Sequence, residues 1–227
     1  MADQRTVIVT GYGAWAKTAE NPAAMVLRAL ADLRWSACRF VPIEVPVRTS
    51  GLTEIVEDAL LTHRPDIWLG LGVAPETTAI HGEIVGINCR DFDVPDNDGV
   101  TLEGAPVIED GEDAYFATLP VRGIVAAVKD AGIPAAVSYS AGTHLCNQML
   151  YTSLHLIRRH DLQTRCGFMH VPYTPEFAVG LADAEKVRPS MALPLMVEAA
   201  RIAVEVSLEA LGAEAGEDVG AVSVAGE

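Results

Sequence analysis

Short β-branched, apolar bursts, each closed by glycine or proline, alternate along this chain with longer stretches whose apolar residues recur at helical spacing. That alternation constrains the fold more than any other feature. Strands returned by helices lie side by side in parallel, and both faces of such a sheet must be covered. Residues 6–10 (TVIVT) read as a buried strand entering a tight loop at Gly11 and Gly13. Asn21-Pro22 then starts a helix, with Asn as cap and Pro at the first helical position. Residues 38–47 are extended, and Pro42 and Pro46 assign them to an edge or bent strand. A helix over 50–63 ends before Pro65, and residues 67–71 (IWLGL) form a buried strand closed by Gly72. Residues 80–88 read as one further strand, PDNDG at 95–99 as a turn, and 104–114 as an irregular loop. Helices over 120–131, 145–160 and 189–211 and strands over 135–139 and 167–171 complete the pattern. The expectation is an α/β sandwich with a mostly parallel central sheet, one domain over 1–212, and a small, acidic, mobile tail over 213–227.

The formal charge is −15, which would repel a polyanion and argues against a nucleic-acid role. No apolar run reaches the ~18 residues needed to cross a bilayer, so no membrane is expected. The N-terminus runs straight into a strand-like segment without a basic and then apolar leader, and the expected compartment is the cytoplasm. The four cysteines, Cys38, Cys89, Cys146 and Cys166, show no CxxC spacing. In a reducing compartment such residues are mostly small buried hydrophobes, so only local context can single one out.

Three residues have that context. Cys146 follows the Ala141-Gly142-Thr143 break and falls in the first turn of a helix, where the positive end of the dipole favours thiolate, the reactive form. A buried, inert cysteine fits the spacing as well. His170 closes an apolar strand just before a proline, where either a base or a satisfied core histidine can sit. Glu83 stands between apolar residues, so it either faces solvent or orients an imidazole. Cys166 with His170 and His144 with Cys146 match no dense metal-ligand motif, and no metal is expected.

Several stretches together resemble the pyroglutamyl peptidase I (pyrrolidone-carboxylate peptidase) family. GTHLCN, with Tyr151 and His155 behind it, is similar to that family's cysteine signature, and GFMHVPYTPE to its histidine signature. IHGEIVGIN and the following PDNDG resemble its glutamate motif, and VTGYGAW followed by Glu20-Asn21-Pro22 its opening strand and loop. The matches keep their order from about Val7 to Glu176. The resemblance implies a three-layer α/β/α sandwich of the phosphorylase/hydrolase-like type. It also implies a cysteine amidohydrolase that removes an N-terminal 5-oxoprolyl residue through an acyl-thioester. Carried over, Cys146 is the nucleophile, His170 the general base and then acid, and Glu83 the group that orients it. Tyr12, Trp15, Asn21, Val94 and His144 fall at substrate-binding positions, and the backbone N–H of Cys146 would help hold the oxyanion. No cofactor is implied. The partners are a peptide or small N-acyl amide substrate and further copies of the chain, as a homo-oligomer (dimer or tetramer).

Some positions depart from the family pattern. His144 stands where Phe is usual, Pro75-Glu76-Thr77 replace Gly-Gly-Arg, and Ile84 and Asp93 each replace an Arg. A carboxylate at Asp93, if close to the developing oxyanion, would slow turnover. Two alternatives follow: a divergent member acting on another small N-acyl amide or lactam-like substrate, and a non-catalytic relative. The intact Cys146, His170 and Glu83 oppose the second.

Overall fold

The computed structural model describes residues 4–15, 20–181 and 188–221. Strands β1 (Arg5–Tyr12), β2 (Cys38–Val45) and β3 (Ile67–Val73) alternate with helices α1 (Pro22–Ala31) and α2 (Leu52–His63). After β4 (Ile80–Glu83) come the short strands β5 (Val85–Ile87), β6 (Arg90–Phe92), β7 (Leu102–Ala105) and β8 (Ala114–Phe116). Helix α3 (Val121–Asp130), β9 (Ala135–Ser138), α4 (Leu145–Arg159), β10 (Arg165–Val171), α5 (Pro175–Gly180) and α6 (Leu193–Ala221) complete the chain. The six-stranded sheet has the order β2-β1-β3-β10-β4-β9, with β10–β4 its one antiparallel pair. Helices α1, α3 and α6 cover one face and α2 and α4 the other, which gives the three layers. β2, with Pro42 inside it and Pro46 just after it, lies at the sheet's edge as expected, because an edge strand needs only one side of its hydrogen-bond ladder.

Local chemistry explains several boundaries. Asn21 is extended and accepts a hydrogen bond from the Ala23 N–H at 3.0 Å, with Pro22 next, so α1 starts there. At α2, Arg64 adopts φ 43° and Pro65 stops the helix. The PDNDG cluster is the turn between β6 and β7: Gly99 sits at φ 78°, and the Asp96 carboxylate accepts from the N–H groups of Asp98 and Val100.

Four readings need correction. Residues 80–88 are two strands, not one. The Ile84 N–H donates to the Ser138 carbonyl and its side chain packs on the α3/α6 face, after which β5 leaves to pair with β8. Residues 104–114 are not wholly irregular, since Leu102–Ala105 pairs with β6. The loop after Pro172 contains α5, capped by the Thr174 hydroxyl. The last helix begins at Leu193 and continues past Gly212 to Ala221, because the small residues beyond Gly212 include no proline to stop it; residues 222–227 lie outside the described ones. The carboxyl ends of β9 and β10 lie apart in the sheet. β9 runs with β4 against β10, so Ser138 stands level with Phe168, mid-strand, and residues 139–144 carry the chain to α4.

Candidate active site

The site grows from the seam where β10 meets β4. In an antiparallel pair, opposed residues share a face and alternate residues return to it. His170 opposes His81 and Glu83 opposes Phe168, so His170 and Glu83 are diagonal neighbours on the α4 face. His170 Nδ1 lies 2.7 Å from Glu83 Oε1, and both side chains are buried, at 7% and 1% exposure. A carboxylate on Nδ1 fixes that nitrogen as the N–H donor and leaves Nε2 for chemistry. Ile84, the next residue along, points to the opposite face, as the pleat requires, and stands among core residues away from the site.

The thiol arrives from the other direction. Cys146 is in the first turn of α4, whose N-cap residue His144 makes no side-chain cap bond. The first backbone hydrogen bond at this helix start runs from Gln148 N–H to the His144 carbonyl, so the N–H of Cys146 precedes the ladder. The β3 glycines make room for the thiol. A Cβ on Gly70 would meet the Phe168 ring at 2.4 Å, and one on Gly72 would lie 2.7 Å from both Cys146 Sγ and Phe168 Cζ. Gly72 is the register partner of His170, so the absent side chain opens the space in which the sulfur approaches the imidazole. Burial would lower the His170 pKa. The Cys146 side chain, which hydrogen-bonds the ring and carries negative charge beside it, and Glu83 outweigh that, so the imidazole is held well above its ordinary value.

Cys146 opens onto a cavity of about 370 Å³ whose lining includes Tyr12, Trp15, Asn21, Val94 and His144. All five predicted binding positions thus converge. Tyr12 is buried, its hydroxyl donates to the Leu145 carbonyl at 2.6 Å, and burial, then Cys146, raises its pKa. Asn21 Oδ1 is held by its own helix cap. His144 Nε2 donates to the Val94 carbonyl at 3.0 Å, and its ring stands against Phe92 and Trp15 at centroid distances of 4.1 and 5.9 Å. Burial lowers the His144 pKa despite the Val94 carbonyl and Asp96, so the ring is neutral at pH 7. Of the departures from the family pattern, His144 and Pro75 reach the cavity. Asp93 is exposed and is not among the residues that line the cavity. Arg90 donates to the Pro106 carbonyl within the β6–β7 hairpin.

Sequence reasoning missed the structural use of the PDNDG turn. Its Asn97 donates to the Ala14 carbonyl, its Pro95 carbonyl accepts from the Trp15 indole, and its Asp96 accepts from the Thr49 N–H. The turn thereby fastens the loops after β1 and β2 that wall the cavity. Asn147, beside the thiol, bonds the backbone of Ile87 and Cys89 and pins β5 to α4. Tyr151 donates to the Glu112 carbonyl and serves packing, as does His155 against Tyr115. Tyr173, Phe177 and Leu181 also line the cavity, and sequence reasoning did not place them there.

The pyroglutamyl peptidase family model matches residues 5–210. The pyrrolidone-carboxylate peptidase of Thermococcus onnurineus is 38% identical over 204 residues, covering 90% of this chain and 99% of that protein. A mutant pyrrolidone carboxyl peptidase from Pyrococcus furiosus superposes with a TM-score of 0.87 at 34% identity, covering 91% of this chain and 99% of that one. The Thermococcus litoralis enzyme gives 0.87 at 33% identity, covering 93% and 96%. With a buried carboxylate–imidazole–thiol chain beside an aromatic cavity, and with these matches over nearly its whole length, the chain belongs to the pyroglutamyl peptidase family, a family of cysteine peptidases.

Proposed function

We propose that this cysteine peptidase removes an N-terminal 5-oxoprolyl residue from peptides, with Cys146 as nucleophile, His170 as base and acid, and Glu83 as the residue that positions His170. The observation that carries the proposal is the Glu83–His170–Cys146 chain at the wall of the cavity. Cys146 Sγ attacks the carbonyl carbon of the oxoprolyl residue. The oxyanion that forms faces the start of α4, where the Cys146 N–H stands ahead of the helical ladder. Collapse breaks the C–N bond, and His170 gives its proton to the departing amine. Water then attacks the thioester, His170 takes one of its protons, and the sulfur leaves as 5-oxoproline is released. The lactam ring is flat and largely apolar, which suits the slot of Tyr12, Trp15, Val94 and His144. Because Asn21 Oδ1 faces its own helix, the amide's Nδ2 end is the one left to donate to a lactam carbonyl.

The test is hydrolysis of 5-oxoprolyl-7-amido-4-methylcoumarin by the full chain and by Cys146→Ala. The expected result is turnover by the parent and none by the folded variant. No turnover by the folded parent, or turnover that survives Cys146→Ala, refutes the reading. The same reading places the chain in the cytoplasm as a homodimer or homotetramer. Four free cysteines suit a reducing compartment, and among the described residues no helix is long and apolar enough to cross a membrane. Sedimentation equilibrium measures the assembly.

A further inference from the structure

The cavity is wider than the lactam slot. Sheet order sets out its two ends. Tyr12 and Trp15 belong to the β1 end, and the thiol lies against Gly72 of β3. On the far side, over β10, stand Tyr173 and Phe177, with Leu181 after α5 and Pro75 after β3. The chemistry assigns these ends different tasks. His170, on β10, must deliver a proton to the departing amine, so the leaving group lies on the β10 side of the sulfur and the acyl group on the β1 side. The wall over β10 therefore meets whatever follows the scissile bond.

That wall is firmly held. The Thr174 hydroxyl accepts from the Phe177 N–H at 3.1 Å and so fixes the first turn of α5. Tyr173 and Phe177 stack at a centroid distance of 4.9 Å with 25° between the rings. The Tyr173 carbonyl accepts from the Met191 N–H, and Tyr173 bridges Ser190, so the segment is tied to the chain leading into α6. Among the described residues that line the cavity, none is Asp, Glu, Lys or Arg.

We propose that Tyr173, Phe177, Leu181 and Pro75 form a subsite for the residue directly after the scissile bond, and that it takes a large apolar or aromatic side chain. Among the described residues of this wall a charged side chain would lose water and meet no opposite charge, whereas an apolar one gains contact with two aromatic rings. The inference rests on the 5-oxoprolyl peptidase reading above, and the experiment separates the two. Values of kcat/KM are measured for 5-oxoprolyl-Phe, 5-oxoprolyl-Gly and 5-oxoprolyl-Asp amides with the parent and with Phe177→Ala. The parent is expected to favour Phe over Gly by roughly tenfold or more, the lower end of what a filled apolar pocket gives, and to disfavour Asp. In Phe177→Ala the Phe-to-Gly ratio falls toward one. A merely structural defect would lower both substrates and leave the ratio in place, which overturns the assignment, as does a flat preference in the parent. A parent inert toward every 5-oxoprolyl amide overturns the underlying reading as well. Phe177→Leu, which keeps an apolar wall, should retain part of the ratio; if it abolishes the ratio as fully as Ala does, the apolar-contact argument is wrong.

Discussion

Replacing Gly72 by Ala tests the geometry of the thiol with one methyl group. The new Cβ would lie 2.7 Å from Cys146 Sγ and 2.7 Å from Phe168 Cζ. Non-bonded heavy atoms rest at roughly 3.5–4.0 Å, so relief needs about 1 Å of movement. Phe168 is buried against Gly70, where a Cβ would stand 2.4 Å away, so its ring has little room to retreat. The sulfur, on a short side chain at the cavity wall, is the atom that yields. A 1 Å displacement of a reacting group typically costs on the order of 10²-fold, and overpacking costs about 1–3 kcal/mol of stability. At roughly 2–4 °C per kcal/mol for a chain of this size, Tm should fall only moderately and the protein should stay folded at 25 °C. The assay is kcat/KM on 5-oxoprolyl-7-amido-4-methylcoumarin beside the rate of iodoacetamide alkylation at Cys146. Gly212→Ala, whose added Cβ meets nothing within 4 Å, is the control. A folded Gly72→Ala enzyme within twofold of the parent in both measurements would refute the claim that this glycine sets the thiol's position.

Three further outcomes are expected. Glu83→Gln removes the charge that helps hold the His170 pKa up, so the loss of the protonated imidazole should move to lower pH and kcat should drop about 10²-fold, within the usual range for proton-transfer groups; an unchanged pH profile would deny Glu83 its positioning role. One equivalent of iodoacetamide should modify Cys146 before Cys38, whose burial pushes its pKa up to about 11, and before Cys166, raised further by complete burial; peptide mapping that finds Cys166 labelled first would contradict this. At Asp96, burial pushes the carboxyl up but the N–H groups of Thr49, Val100 and Asp98 outweigh it, so its folded pKa is depressed. The stability it contributes is therefore present above the unfolded value of about 4 and lost as pH falls through the lower folded value. Asp96→Asn should lower Tm at pH 7 and flatten its decline below about pH 4, as measured by calorimetry, whereas parallel pH curves for the two proteins would argue against the assignment.

What the sequence revealed follows the range of the forces involved. Cys146 was legible because its setting is local: a glycine break, then a helix start. The alternation of strands and helices, the Asn21 cap and the edge position of β2 are also local matters of pattern and propensity. The His170–Glu83 bond joins residues 87 positions apart and depends on a strand reversal that alternation alone does not encode, so the residues were found but not their register. Ile84 looked like one more strand residue because the chain leaves the main sheet there for a long-range partner, Phe116, opposite Val85. The cavity's far wall was invisible for the same reason. Tyr173 and Phe177 gain meaning only where β10 delivers them beside the thiol.

The seam between β10 and β4 has a mechanical consequence. The imidazole and its carboxylate are both carried by buried strands and locked by backbone register, in the region of a fold that opens least often. The sulfur rides on the end of a helix, and the cavity walls include segments beyond the sheet, the loop of Trp15 and the short helix of Phe177. In the proposed mechanism the proton is thus handled by the most deeply ordered part of the fold, while the walls, fastened at separate points, can open without disturbing it. Amide hydrogen exchange should divide along the same line, slow at Phe168 and Met169 and faster in the loop carrying Ala14 and Trp15, and a molecule seated in the slot should slow the second group without touching the first.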